Sequence, residues 1–513
     1  MVFSAFARSI GLALAAMVLI VSAPAHAEWR RAESQHFIVY GDVSEGALRD
    51  YVRKVERFDG VLRTWFPVPD NGATPKLEIF LAHGLSELRA INPDTRTSVA
   101  GFYSASDNRI FAVVDLDRND GDHTLFHEYA HHFMLAHMAG AYPGWFIEGF
   151  AEFFATADLS RGRARVGLPS PGRMYSLQQT RNAWVPMEAV LGSRSSQLSN
   201  NQVQGYYAQS WALTSYLLST PERRTMLARY LSAIMEGAEP VAALSGTIDR
   251  TPEQLQNDVR QYIGRINYST EQNTYTPAEV QITTMPRSTG DLIWLDLRLS
   301  RSLDEDELAE ALTRARDLEH RYRGDRLAAI VLAKVESRNE NWQVVESTLE
   351  PLISMPAPDP EALWLTAQAQ MNRADAAETS TEDREPLYAR ARTHLVRAIQ
   401  ADPTDFRFYM SLADNRQIYP GYPTDQDLEV LLAAASYAPQ VLTTRYRAAH
   451  ALVDQDIYLQ AIELLAPVAN NPHGGAGMQA VRDLLSEARA KAGVADNSAP
   501  LPTDLDEEAA IEE

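Results

Sequence analysis

Five of the twelve histidines fall between His123 and His137, and two of them frame the run His127-Glu128-Tyr129-Ala130-His131. Imidazoles at i and i+4 share one face of a helix, so both rings reach a single ion. Imidazole ligands in a tetrahedral set with one open position suit Zn2+. Glu128 follows the first ligand directly, where a carboxylate serves as general base: it takes a proton from the attacking water and passes it to a leaving amine. A two-histidine site needs a third protein ligand. Glu148 stands 17 residues after His131, enough for the end of one helix, a loop and an antiparallel return. Glu152 lies one turn further on and is spaced as an alternative ligand or, preferably, as an outer partner to a ligand histidine. His132 is off the ligand face and reads as a packing residue. His123 and His137 read as surface or helix-end residues, the latter near a C-terminus that favours a cation.

Residues 125–153 resemble the gluzincin metallopeptidases, whose familiar members are the thermolysin and membrane-alanyl-aminopeptidase groups. Trp145-x-x-Glu148-Gly149-Phe150-Ala151 is similar to the aminopeptidases' W-x-N-E-G-F-A, in which the Glu is the third zinc ligand. The resemblance implies His127, His131 and Glu148 as ligands and Glu128 as base. More loosely, residues 28 to about 265 resemble a bacterial family of peptidase-MA-like proteins that often carry tetratricopeptide repeats. Tyr206-Tyr207-Ala208-Gln209-Ser210-Trp211 is similar to the Y-x-K-G helix start of the aminopeptidases, which implies Tyr207 as the oxyanion donor, although Gln209-Ser210 replace Lys-Gly. A G-x-M-E-N segment is missing upstream, so recognition of a free amino terminus is not implied. Arg109 to Val114 is expected instead to be an edge strand that pairs with an extended peptide.

The elements that must position these groups are legible in the spacing. Leu125, Phe126, Tyr129, Ala130, Phe133, Met134 and Leu135 make the histidine helix apolar on several sides. Residues 122–158 read as two helices joined near Gly140 to Gly144. Upstream, His36 to Tyr40 is a short β-type run bounded by Gly41-Asp42, and Lys76 to Leu81 alternates as a strand with Leu77, Ile79 and Leu81 on one face. Leu48, Val52, Val55, Phe58 and Leu62 give Ser44 to Phe66 a helical period that Pro67 stops. Val99 to Ser104 and Arg109 to Val114 flank a hairpin turn at Ser106 to Asn108. Residues 160–204, rich in Gly, Ser, Pro, Asn and Gln, read as long surface loops. Helical periodicity returns over Tyr206 to Leu218, Pro221 to Met235 and Thr251 to Ile266.

Beyond residue 291 the chain is Ala-, Leu- and Arg-rich. Pro403, Pro439 and Pro472 each follow a helix-like run, 36 and 33 residues apart, close to the tetratricopeptide period of about 34. Ala374 to Glu385 reads as a polar insertion that breaks the phase. The expected fold class is thus an α+β, gluzincin-like metallopeptidase domain followed by an all-α helical-repeat domain. Its expected boundaries are a signal peptide at 1–27, a zinc domain at 28–267, an extended linker with some strand character at 268–290, repeats at 291–492 and an acidic disordered tail at 493–513.

Composition narrows the function. The 513 residues contain no cysteine, which excludes disulfides, Cys-ligated zinc and cysteine nucleophiles. Lys plus Arg is 47 against 68 Asp plus Glu, a formal charge of −21 that repels nucleic acid. Arg8, an apolar run from Ile10 to Val21 and Ala25-His26-Ala27 form a secretory signal with cleavage near Ala27, so a periplasmic or secreted location with no membrane span after cleavage is expected. The expected function is an exported zinc-dependent peptidase acting on a peptide or protein substrate. The alternative is a non-catalytic protein–protein interaction module whose repeats hold a protein partner beside a structural or vestigial zinc site.

Overall fold

The computed structural model describes residues 28–494 except 69–74, 139, 161–162, 181–183, 193–197, 267–268, 272–274, 377–378 and 470–476. The expected signal peptide, the acidic tail from 495 and Pro472 lie outside the described residues.

Among the described residues eight strands are formed: β1 (Arg30–Glu33), β2 (Phe37–Gly41), β3 (Leu77–Ala82), β4 (Gly101–Ala105), β5 (Ile110–Asp115), β6 (Ala164–Val166), β7 (Ser269–Glu271) and β8 (Gln281–Thr284). Six make one mixed sheet in the order β4-β5-β3-β2-β1-β8, and β6 pairs with β7. The β2–β3 and β3–β5 ladders are parallel, and the outer ones antiparallel. Side chains alternate across a strand. Phe37, Val39, Leu77, Ile79, Leu81, Ala112 and Val114 therefore face one core. Phe80, Ala82, Phe111 and Val113 face another.

The first core is closed by helices. α1 (Glu45–Trp65) starts at Ser44, whose Oγ accepts from Ala47 N at 3.2 Å, and it buries the predicted stripe of Leu48, Val52, Val55, Phe58 and Leu62. A short α2 (Leu85–Ile91) follows β3, and then come α3 (Gly121–His137) and α4 (Gly144–Ala155). Further along are α5 (Pro171–Gln179), α6 (Met187–Gly192), α7 (Asn200–Leu218), α8 (Pro221–Met235) and α9 (Pro252–Ile263). The segment 160–204 is therefore not a run of loops: it holds β6, α5, α6 and the first turn of α7. Ser170 caps α5 with Pro171 in the first turn, and Ser199 opens α7 with a capping box to Gln202, a polar start that carries none of the apolar period.

The expected linker has its strand character, but it is part of the sheet domain and not a spacer. Residues 269–271 and 281–284 are the strands β7 and β8, and β8 completes the main sheet against β1. α10 (Ser288–Arg298) then covers the second face of the sheet with Ile293 and Leu297 beside Trp29 and Phe80. So the first helix of the expected repeat region is also part of the sheet domain.

Ten helices follow among the described residues, each in contact with the next: α11 (Glu305–Arg321), α12 (Arg326–Arg338), α13 (Trp342–Ile353), α14 (Pro360–Asp375), α15 (Thr381–Ala401), α16 (Phe406–Arg416), α17 (Asp425–Tyr437), α18 (Leu442–Asp454), α19 (Tyr458–Ala469) and α20 (Met478–Ala492). The second helices of successive pairs start 34, 46, 36 and 36 residues apart. Each helix packs on the next, and α10, α12, α14 and α16 also touch in series, as in a tetratricopeptide-like stack. Ala374 to Glu385 falls where the spacing lengthens to 46, as the expected insertion requires, although its described ends belong to the last turn of α14 and the first turn of α15. No described helix is long and apolar enough to cross a membrane.

Candidate metal centre

α3 carries His127 and His131 on one face, and α4 returns antiparallel to carry Glu148. The two Nε2 atoms lie 3.1 Å apart, and Glu148 Oε2 is 3.7 Å from each. A tetrahedral zinc site with bonds of about 2.1 Å has ligand–ligand edges of about 3.4 Å. The triangle therefore fits one ion, and its carboxylate is wholly buried. Glu128 stands between the histidines in sequence and is partly exposed.

Glycine sets the distance between the helices that hold the triangle in place. A Cβ on Gly149 would lie 2.1 Å from Thr214 Oγ1 and 2.4 Å from Ser210 O, both on α7. Only a residue without Cβ lets α4 come this close to α7. On the far side of α3, Tyr129 Oη donates to Asp59 Oδ1 at 2.8 Å, and Arg63 Nε donates to Asp59 Oδ2 at 2.7 Å. His36, Glu56 and Asp59 also lie close enough together for an ion. There, however, His36 Nδ1 is 2.8 Å from Glu56 and Arg63 already neutralises Asp59. This second cluster is a brace between α1 and α3.

Outer partners orient the inner ones. His127 Nδ1 is 3.2 Å from Glu152 Oε1, and Arg173 Nη2 donates to the same oxygen at 2.6 Å. Burial opposes charge on His127, but the hydrogen bond and charge of Glu152 prevail and raise its pKa in the metal-free chain. Burial likewise opposes the Glu152 anion, yet Arg173 and His127 hold its carboxyl far below the ordinary carboxylate range. Glu152 is thus fixed as an anion that points at the outer nitrogen of His127, which directs the inner nitrogen into the triangle. The Arg173 guanidinium also lies 5.3 Å over the ring of Tyr207, a buried residue of α7. Tyr207 therefore stands in the same cluster as Arg173, Glu152 and the triangle.

The remaining histidines separate. His123 lines a cleft of about 1200 Å³ between α1, the start of α3 and residues 155–160, together with Lys54, Arg57, Phe126 and Tyr275. Burial lowers its pKa. His132 is buried between Tyr103 and Tyr129. His137 does not use its helix end as a cation site: burial and Arg63, 3.4 Å away, push its pKa down to about 4.

Arg109 to Val114 is not an edge strand. β5 lies between β4 and β3, and the edge strand beside α3 is β4, which carries Tyr103. Arg173 and Tyr103 escaped the sequence reading. The Ser170-Pro171 helix start was the one available sign of an ordered segment around Arg173. Tyr103 had no local sign at all.

A family model described as a protein of unknown function (DUF1570) matches residues 122–241. That span includes His127, Glu128, His131, Glu148, Glu152, Arg173 and Tyr207. No curated protein matches the chain. A thermophilic TPR protein of Thermus thermophilus is similar at 14% identity, over 40% of this chain and 99% of its own, with a TM-score of 0.32. That likeness carries no argument, and the repeat architecture rests on the helices described above.

Proposed function

We propose that this chain is an exported zinc-dependent peptidase of the gluzincin type, acting in the periplasm or outside the cell. The observation that carries this reading is the triangle of His127, His131 and Glu148, braced by Glu152 and with Glu128 beside the first ligand. A purely structural site has no use for a carboxylate in the position of Glu128. Bound zinc would acidify water and polarise the scissile carbonyl. Glu128 removes the proton of the attacking water and returns it to the leaving amine. Tyr207 donates its phenolic proton to the developing oxyanion, a contribution of about 3–4 kcal/mol for a well-placed donor. Glu152 and Arg173 keep His127 oriented throughout. The repeats would hold a protein partner or part of a protein substrate.

Metal content tests the binding half of the reading. The purified protein is expected to hold about one zinc per chain, and His127→Ala to hold none while its circular dichroism is unchanged. A wild-type chain that stays metal-free after dialysis against zinc would refute it.

A further inference from the structure

The repeats leave the sheet domain at α10 and come back to it at their far end, where the contact falls on the helix that carries the two histidines. Arg445 of α18 is 6% exposed, and its donors go to three main-chain carbonyls. Nε reaches Pro439 O at 2.6 Å in the turn before α18, Nη1 reaches Leu464 O at 3.0 Å on α19, and Nη2 reaches Leu135 O at 3.0 Å on α3. Burial pushes its pKa down to about 10, so the guanidinium is still charged at neutral pH.

A helix runs out of its own donors in its last turn, where unpaired carbonyls and the negative end of the dipole favour a cation. α3 ends at His137, with Met138 N on Met134 O at 2.8 Å, and Leu135 O is the next carbonyl. His137 stands at that end uncharged, and the cation comes instead from Arg445, 310 residues away in the chain. The seat around it is apolar. Leu135 packs into the cluster of the last repeats, and Phe406, Ala438 and Val441 pack against Ala105 and Ile110 of the β4–β5 hairpin. Arg407 Nη1 adds a bond to Asn108 O in the hairpin turn at 3.3 Å. His131 stands one helical turn before Leu135, so any loosening of the last turns of α3 reaches the second ligand first.

We infer that Arg445 is a positioning residue that caps the histidine helix from the repeats, and that through this cap the seating of the last repeats and the binding of zinc are coupled. The inference rests on the metal centre proposed above. Coupling is reciprocal: zinc steadies the seat of α18, and whatever lifts α18 weakens zinc binding.

The cap is tested without metal or activity. In the metal-free chain, Arg445→Met is expected to speed amide exchange over residues 133–138 about threefold to tenfold, the range of a lost helix-end cation, with exchange over α1 unchanged. Equal exchange in the two proteins would overturn the cap. Coupling is read by chelator competition. Arg445→Met, with circular dichroism matching the wild type, is expected to bind zinc about threefold to tenfold more weakly, and Arg445→Lys, which keeps the cation, to recover part of that loss. Unchanged affinity in Arg445→Met would overturn the coupling. The wild-type chain supplies a test that needs no variant to fold: zinc is expected to slow amide exchange over residues 442–454 of α18, and exchange that is the same with zinc and with chelator would also overturn it. A wild-type chain that binds no zinc would refute the metal centre and the coupling together, while the exchange of residues 133–138 still decides the cap.

Discussion

His127 is held from both of its ring nitrogens, one turned into the triangle and the other toward Glu152. Outer partners of this kind are worth about 10–100-fold in metal affinity. Arg173→Ala leaves Glu152 buried without its cation, and Glu152→Gln removes the anion itself. Both variants are expected to bind zinc about 10–100-fold more weakly in a chelator competition, and unchanged affinity in both would show that the pair does not act on the ligand. The difference between Glu152 and Arg173 also shows what a sequence reveals at this scale. Glu152 is one helical turn from Glu148, so its role followed from spacing. Arg173 reaches it from 21 residues further on, out of a segment whose Gly, Ser and Pro content resembles loops. Contacts set by tertiary packing leave no period to read. His137 makes the same point: its helix-end position favours a cation, and the burial that overrides this is invisible locally.

At the scale of elements, the close approach of α4 and α7 fixes where Glu148 sits. Gly149→Ala places a methyl group against Thr214 Oγ1 and the backbone oxygen of Ser210. Overpacking of this kind costs about 1–3 kcal/mol and displaces the helix. Thermal unfolding of the variant is expected at lower temperature, with weaker zinc binding. Thr214→Ala is expected to restore only part of the loss, because the Ser210 contact is backbone. Full stability in Gly149→Ala would show that the helices can separate without consequence. α1 and α8 were legible to within a residue of their ends, whereas the reading of α9 ran three residues past Ile263. Of the strands of the first core, β3 was legible by alternation and β2 as a short β-type run, while β1, which adds Ala32, was not read. The start of α7 and the whole of α5 were not, since polar first turns and short helices carry no apolar stripe. Whether a strand is an edge is a property of the sheet, and so β5 could not be told from β4.

Across the whole molecule, a line of half-buried charge centred on the buried Asp296 ties the sheet to the repeats. Arg109 Nε donates to Glu78 at 2.6 Å, and its Nη1 donates to Asp296 on α10 at 2.7 Å. Lys334 on α12 meets Asp296 at 2.7 Å and Glu361 on α14 at 2.8 Å. Removing one member of such a network strands the others in a low dielectric, at a cost of about 3–5 kcal/mol. Asp296→Ala is therefore expected to lose about that much stability in denaturant unfolding, and a loss below about 1 kcal/mol would show that the halves are not joined through this line. The period of the repeats was legible because prolines mark the turns between helices. Their union with the sheet was not, because β8 and α10 belong to both halves and the charges that join them lie far apart in sequence.

The central claim is that Glu128 performs proton transfer beside a zinc ion held by His127, His131 and Glu148. The most direct test is cleavage of an unstructured protein such as casein by the wild-type chain and by Glu128→Gln, matched for zinc content. The account predicts chelator-sensitive cleavage by the wild type and a loss of about 10²–10⁴-fold in Glu128→Gln, the range of a lost general base. Equal cleavage by both proteins at equal zinc would contradict it.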